Sequence, residues 1–432
     1  MLRNILLGLG VFSALFAVLI FSGKIPIGNT DTKPKGEVAM WGTIDEVQMN
    51  RIVQEFNPKA STYRVTYREI PADQFSQALL EALANGTGPD LIMAPHQIIL
   101  ANSARLYPFP VASFSEKTFK DTYVDGANLF YTPQGAIALP VSIDPLVLFY
   151  NRTLFSKHGI VNPPTYWDEV VNMTPLLTIV DGTGKFAESA ISLGAPNTPY
   201  AKDILMATVA QLGQTAVLKQ YREDGGSFFS VTANTPVFED GDVFPLATAV
   251  NFFTQFADPT KTTYTWSQYG SYADDLFVAE KLAMYIGYAS ELGSLQGRNP
   301  KADFSLAYLP QTRGYNTFTT GGQMYGIATL RASQNLVTAL TIQSQFAGAG
   351  VSPAIASLYG ATPALRQYST TEGLSDVIAR SMLVAKPWYD SFPVQSMNLA
   401  ATLFGDVISG RMGPSDAAAT FVSRLQDLYT PL

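Results

Sequence analysis

The chain contains no cysteine. This excludes a disulfide, a thiolate metal site, a cysteine nucleophile and the cysteine that would carry a lipid anchor. Histidine is nearly absent, with only two in 432 residues. His96 has no second histidine or carboxylate at metal-ligand spacing, so a zinc site is rejected and no cofactor is expected. Charge is sparse: charged residues make up 15%, with 28 Lys+Arg against 35 Asp+Glu and a net charge of -7. There is no lysine or arginine run, and a nucleic-acid binder needs a concentrated basic face. A nucleophile elbow, a phosphate loop and an H-E-x-x-H motif are also missing.

Apolar residues are plentiful. They form 47% of a chain too long for one ordinary core, so two lobes are expected and general disorder is excluded. Near the N-terminus, Arg3 precedes the uncharged run from Ile5 to Gly23, which is followed by Lys24. As a helix this run reaches about 28 Å, close to a bilayer core. Residues 1–24 therefore read as an uncleaved signal-anchor or a cleaved signal peptide, with residues 25–36 as a polar tether. Either reading exports the rest of the chain.

The most informative stretch is Leu139 to Phe155, followed by Pro163-Pro164-Thr165-Tyr166-Trp167-Asp168-Glu169. Leu146 to Tyr150 is a bulky apolar run that predicts a buried strand. Pro145 lacks an N–H, so the strand is expected to begin there and to hold Asp144 at its entrance. Thr165 is the expected N-cap of the next helix. Upstream, strands over 37–42, 63–70 and 89–94 alternate with helices opening at Asp45 and near Gln74. This is a doubly wound pattern, in which ligands sit beyond the carboxyl ends of strands. Later segments predict a strand over 191–194, a turn over 224–227 and helices over 204–212, 244–256, 333–346, 395–408 and 414–428.

The pattern P-x-x-x-x-P-L-V-L-F-Y-N-R-T-L-F-x-x-x-G-I-x-x-P-P-T-Y-W-D-E resembles the extracellular solute-binding proteins of the sugar-binding family 1 type, the maltose-binding-protein-like receptors of ABC importers. Gly86-Thr87-Gly88-Pro89-Asp90-Leu91-Ile92, the segment from Asp274 to Tyr288, and Gly321-Gly322 followed by Ile327 fit the same resemblance. It implies an α/β fold of the two-lobed periplasmic-binding-protein type II architecture. Each lobe would be a doubly wound mixed sheet flanked by helices, with a hydrophobic helix at the N-terminus. The lobes would comprise residues 37–142 with 310–365, and residues 143–309 with 366–432. The implied function is an extracytoplasmic receptor that closes on a carbohydrate, expected to be an oligosaccharide, in an interlobe cleft and delivers it to a membrane permease. A monomer is expected, with no enzyme activity and no nucleic-acid partner.

The candidate ligand-binding residues follow from both arguments. Trp41 ends the first strand and reads as a cleft or a core aromatic. His96 and Gln97 follow the third strand and point toward the cleft by resemblance; a lone histidine such as His96 is more often a surface or structural residue than a ligand contact. Asp144 would accept hydrogen bonds from sugar hydroxyls. The segment holding Tyr264, Trp266, Tyr269 and Tyr272 among Thr, Ser and Gln suggests a loop that stacks a sugar face, or else a patch over the core. Tyr288 and Glu291 stand near the aromatic position that follows the strand in the family pattern, and at the turn before that strand Ala279-Glu280 replaces its usual glycine. Gly321 and Gly322 permit close backbone approach, and Trp388 and Tyr389 complete the set. Paired carboxylates such as Asp144 and Glu291 also suit a membrane-anchored carbohydrate-active enzyme, the rival reading from another class. A receptor for a non-sugar solute is the alternative within transport.

Overall fold

A computed structural model describes residues 34–430, apart from 61, 223–225, 238–242, 271, 316–317 and 371–374. The expected N-terminal helix of residues 1–24 lies outside the described residues, as does most of the 25–36 segment. Among the described residues no helix is long and apolar enough to cross a membrane. The chain divides into two compact units, residues 1–143 with 323–372 and residues 144–322 with 373–432.

In the first unit, strand Gly36–Gly42 lies between two parallel neighbours, Tyr63–Glu69 and Leu91–Pro95. Strand Gly322–Leu330 then runs antiparallel to Leu91–Pro95. The alternation in Tyr63–Glu69 buries Val65 and Tyr67 and exposes the residues between them, whereas Leu91 to Ala94 are all buried. Helix Glu46–Phe56 begins at Asp45, whose carboxylate accepts the Gln48 N–H at 2.9 Å. It buries Met49, Val53 and Phe56, and Phe56 meets Phe346 edge-on at 4.8 Å.

In the second unit, strand Leu282–Tyr288 pairs antiparallel with residues 146–150 and parallel with Phe186–Ile191. Alternation sorts the 146–149 run: Leu146 and Leu148 enter the larger core, Val147 and Phe149 a smaller one. Helices Ala201–Gln211, Pro245–Thr254, Pro393–Ile408 and Pro414–Tyr429 build the larger core, where Phe253 stacks on Phe404 at 4.5 Å. Strands Val217–Tyr221 and Ser227–Val231 pair antiparallel on either side of the expected turn at 224–227, of which 224–225 are outside the described residues.

Three local expectations are corrected. The strand expected to begin at Pro145 runs from Leu139 to Asn151, through both Pro140 and Pro145. Its pairing with Thr362–Pro363 covers Ser142 and Ile143, and its pairing with Leu282–Tyr288 starts at Leu146. Pro145 falls between these ladders, where its missing N–H disrupts neither. The helix expected to be capped by Thr165 starts at Trp167, and the Glu169 carboxylate instead reaches back to the Thr165 N–H at 2.7 Å. The strand placed at 191–194 is Phe186–Ile191; it stops before Gly194, whose φ of 99° is left-handed.

Candidate functional site

The second unit gathers several of the candidate residues at one end of strand Leu282–Tyr288. Asp144 is buried, 5% exposed, and accepts the Ser290 N–H at 3.0 Å. Burial pushes its carboxyl up to about 7, against the bonds from Ser290, and the nearby Glu291 charge adds to the rise. Glu291 accepts the Tyr285 hydroxyl at 2.6 Å and the Tyr288 N–H at 2.8 Å. Its carboxyl is raised, chiefly by burial. Gly287 allows this approach, because a Cβ there would lie 2.5 Å from a Glu291 carboxylate oxygen.

Tyr288 is buried and donates its hydroxyl to Asp203 Oδ2 at 3.1 Å. Trp388, 9% exposed, donates its indole N–H to Asp203 Oδ1 at 3.2 Å. Beside them, the Gly321 carbonyl accepts the Leu146 N–H at 2.9 Å, and Gly322 opens the strand that follows. A Cβ on Gly321 would approach the Asp203 carbonyl to 3.4 Å and Leu146 Cδ1 to 2.8 Å. Asp144, Tyr288, Glu291, Gly321 and Trp388 thus share a neighbourhood built around two residues that sequence reasoning missed, Tyr200 and Asp203. Tyr200 precedes helix Ala201–Gln211 with φ 54°, an uncommon left-handed conformation for a side chain of this size. Its ring meets Tyr288 edge-on at 4.7 Å, and it is the most exposed ring of the group at 36%. The Pro199-Tyr200 pair before an apolar helix is the one sequence signal that points to it.

Other candidates lie elsewhere. Trp266 is buried in the smaller core of the second unit, with its indole N–H on Asn197 Oδ1 at 3.1 Å. Its loop neighbours Tyr269 and Tyr272 are 89% and 81% exposed. Tyr389 packs between Phe229 and Tyr429 in the larger core. In the first unit, Trp41 is buried beneath the Arg68 guanidinium, 5.3 Å from the ring centre. His96 is buried with Nδ1 accepting the Met324 N–H at 3.3 Å, which ties the first turn of helix His96–Ala101 to the neighbouring strand. Gln97 is half-buried on that helix. The same unit also stacks Tyr325 on Tyr359 at 3.7 Å.

The second-unit group is rich in acceptors and flat rings. Carboxylates bond hydroxyl donors, and rings cover the apolar faces of a ligand. The ammonium of Lys202, beside this group, is already engaged: it pairs with buried Asp390 at 2.6 Å. Among the described residues no three His, Asp or Glu side chains converge as metal ligands.

Residues 43–340 match the model of the bacterial extracellular solute-binding protein family. The chain belongs to this family. Among curated relatives, a putative binding protein of Brucella abortus (strain 2308) is 22% identical over 152 residues, 31% of this chain and 36% of the relative. The match therefore spans about a third of that relative's length. Solved solute-binding structures share the fold. The cyclic alpha-maltosyl-1,6-maltose binding protein from Arthrobacter globiformis is 17% identical, covering 91% of this chain and 98% of that one at a TM-score of 0.72. The sugar-binding protein MalE from Xanthomonas citri is 16% identical, covering 91% and 97% at a TM-score of 0.71. An ABC substrate-binding protein from Listeria monocytogenes, in complex with cycloalternan, is 16% identical, covering 91% and 99% at 0.67. A mixed α/β solute-binding fold is thereby established for this chain.

Proposed function

We propose that this member of the solute-binding family is an extracytoplasmic receptor that binds a carbohydrate and delivers it to an ABC permease. The observation that carries this reading is the family match across residues 43–340. Support for a sugar comes from the named ligands of structural relatives, among them cycloalternan, maltotetraose and α-D-tagatose. Further support comes from the second-unit group, in which Asp144 and Glu291 supply acceptors and Tyr200, Tyr288 and Trp388 supply rings. Trp41, His96, Gln97, Gly321 and Gly322 remain candidate contacts. Residues 1–24 would hold the receptor at the outer face of the cell membrane or, if cleaved, release it as a secreted or periplasmic protein, and the receptor would act as a monomer.

Isothermal titration against maltotetraose, maltose, a monosaccharide panel, amino acids and divalent cations tests the reading. Saturable heat with an oligosaccharide is expected. Heat only with an amino acid or a cation would sink the carbohydrate assignment. The rival enzyme reading predicts turnover of a chromogenic glycoside that vanishes in Asp144→Asn; the receptor reading predicts no turnover in either protein.

A further inference from the structure

We infer that Asp203 is a positioning residue that pre-sets the aromatic wall of the proposed carbohydrate site, a role that rests on the carbohydrate reading. Asp203 sits in the first turn of helix Ala201–Gln211. Each of its carboxylate oxygens takes one aromatic donor: Oδ1 the Trp388 indole N–H at 3.2 Å, Oδ2 the Tyr288 hydroxyl at 3.1 Å. These rings come from separate elements, Tyr288 from the end of a strand and Trp388 from the segment before helix Pro393–Ile408.

The adjacent ammonium does not compete for the carboxylate. Lys202 Nζ is bonded to Asp390 at 2.6 Å and Ser396 at 3.2 Å, and it lies 5.2 Å from the centre of the Trp388 ring. Trp388 is therefore held at its edge by Asp203 and faced by Lys202, a cation–π arrangement. Tyr288 is held at its hydroxyl by Asp203 and at its ring by Tyr200. The start of this helix thus engages three rings: Tyr200 at its N-cap, and Tyr288 and Trp388 through Asp203. Rings locked before the ligand arrives leave less side-chain entropy to lose on binding, which is how preorganisation raises affinity. Asp203 acts through Trp388 and Tyr288 rather than by touching sugar.

The test uses the full chain in mild detergent with maltotetraose as probe. Asp203→Leu, which keeps the branched four-atom skeleton but accepts no hydrogen bond, is expected to weaken maltotetraose binding about tenfold or more while melting cooperatively. Asp203→Asn should retain most of the affinity, because its amide oxygen accepts the indole N–H and its NH₂ donates to the Tyr288 oxygen. Trp388→Phe removes the indole donor, and in that background Asp203→Leu should cost clearly less than it does alone. Losses that simply multiply, or an Asp203→Leu protein that binds like wild type, overturn the inference. Absence of heat from wild type removes the carbohydrate reading alone, and ligand-free near-UV circular dichroism then decides. An attenuated aromatic signal in Asp203→Leu, preserved in Asp203→Asn, supports positioning; superimposable spectra overturn it.

Discussion

Raising the pH from about 4 to about 8 should destabilise the wild-type chain relative to Asp144→Asn. The Asp144 carboxyl is lifted from 3.8 to about 7, first by burial and then by the charge of Glu291. Below the unfolded value both states hold the proton and nothing is lost. Between the two values the folded state binds a proton that the unfolded state has released, so stability falls as pH rises. Above the folded value the full cost remains. A shift of roughly 3 units at about 1.36 kcal/mol each sets a ceiling of ~4 kcal/mol. Asparagine keeps an oxygen to accept the Ser290 N–H found at 3.0 Å, yet carries no titrating group. It also relieves Glu291 of a like-charged neighbour. Carboxylates held low, such as Asp181 and Asp376, give the opposite slope but are common to both proteins and cancel in the difference. Urea denaturation of both proteins across this range measures the effect. A stability difference that stays flat with pH, or a variant that grows weaker than wild type as pH rises, refutes the reasoning.

Lys202→Met should cost about 3–5 kcal/mol in urea denaturation, because Asp390, fully buried, would lose its cation; a loss under about 1 kcal/mol would mean the pair does not support the fold. Gly135→Ala should abolish soluble expression or cost more than ~3 kcal/mol, since φ is 118° and a Cβ would overlap the Phe109 carbonyl oxygen; a normal melting temperature would refute the stated turn geometry. Glu280 holds φ 57° where the family pattern carries glycine, and it accepts the Asn151 amide at 3.3 Å. Glu280→Ala should therefore lose roughly 1 kcal/mol, whereas Glu280→Gly recovers most of that by relieving the backbone; equal stabilities for the two variants would show that the left-handed turn stores no strain.

Local patterns in the chain are enough for much of the fold. The alternation at Tyr63–Glu69, the buried run at Leu91–Pro95 and the Asp45 cap each act over a few residues, so their signals survive in one dimension. The prolines mislead for the same reason. Pro145 reads locally as a strand start, yet it is harmless in the middle of Leu139–Asn151 because it lies between two pairing partners that are remote in sequence. The polar neighbours of Trp266 suggest a surface ring, while its burial depends on Val147, Phe149 and Phe277.

By itself the sequence determines the absence of cysteine chemistry, the acidic balance, the order of many strands and helices, and the motif that points to a solute-binding family. These depend on residue type and short spacing. The run from Leu146 to Tyr150 is legible as a buried strand followed by a helix on those grounds. Only the tertiary structure decides that Asp144, Tyr288, Glu291 and Trp388 share one neighbourhood, and that Tyr200 and Asp203 organise it. Those contacts join residues far apart along the chain, and a carboxylate such as Asp203 carries no local mark of which distant donors its two oxygens will meet.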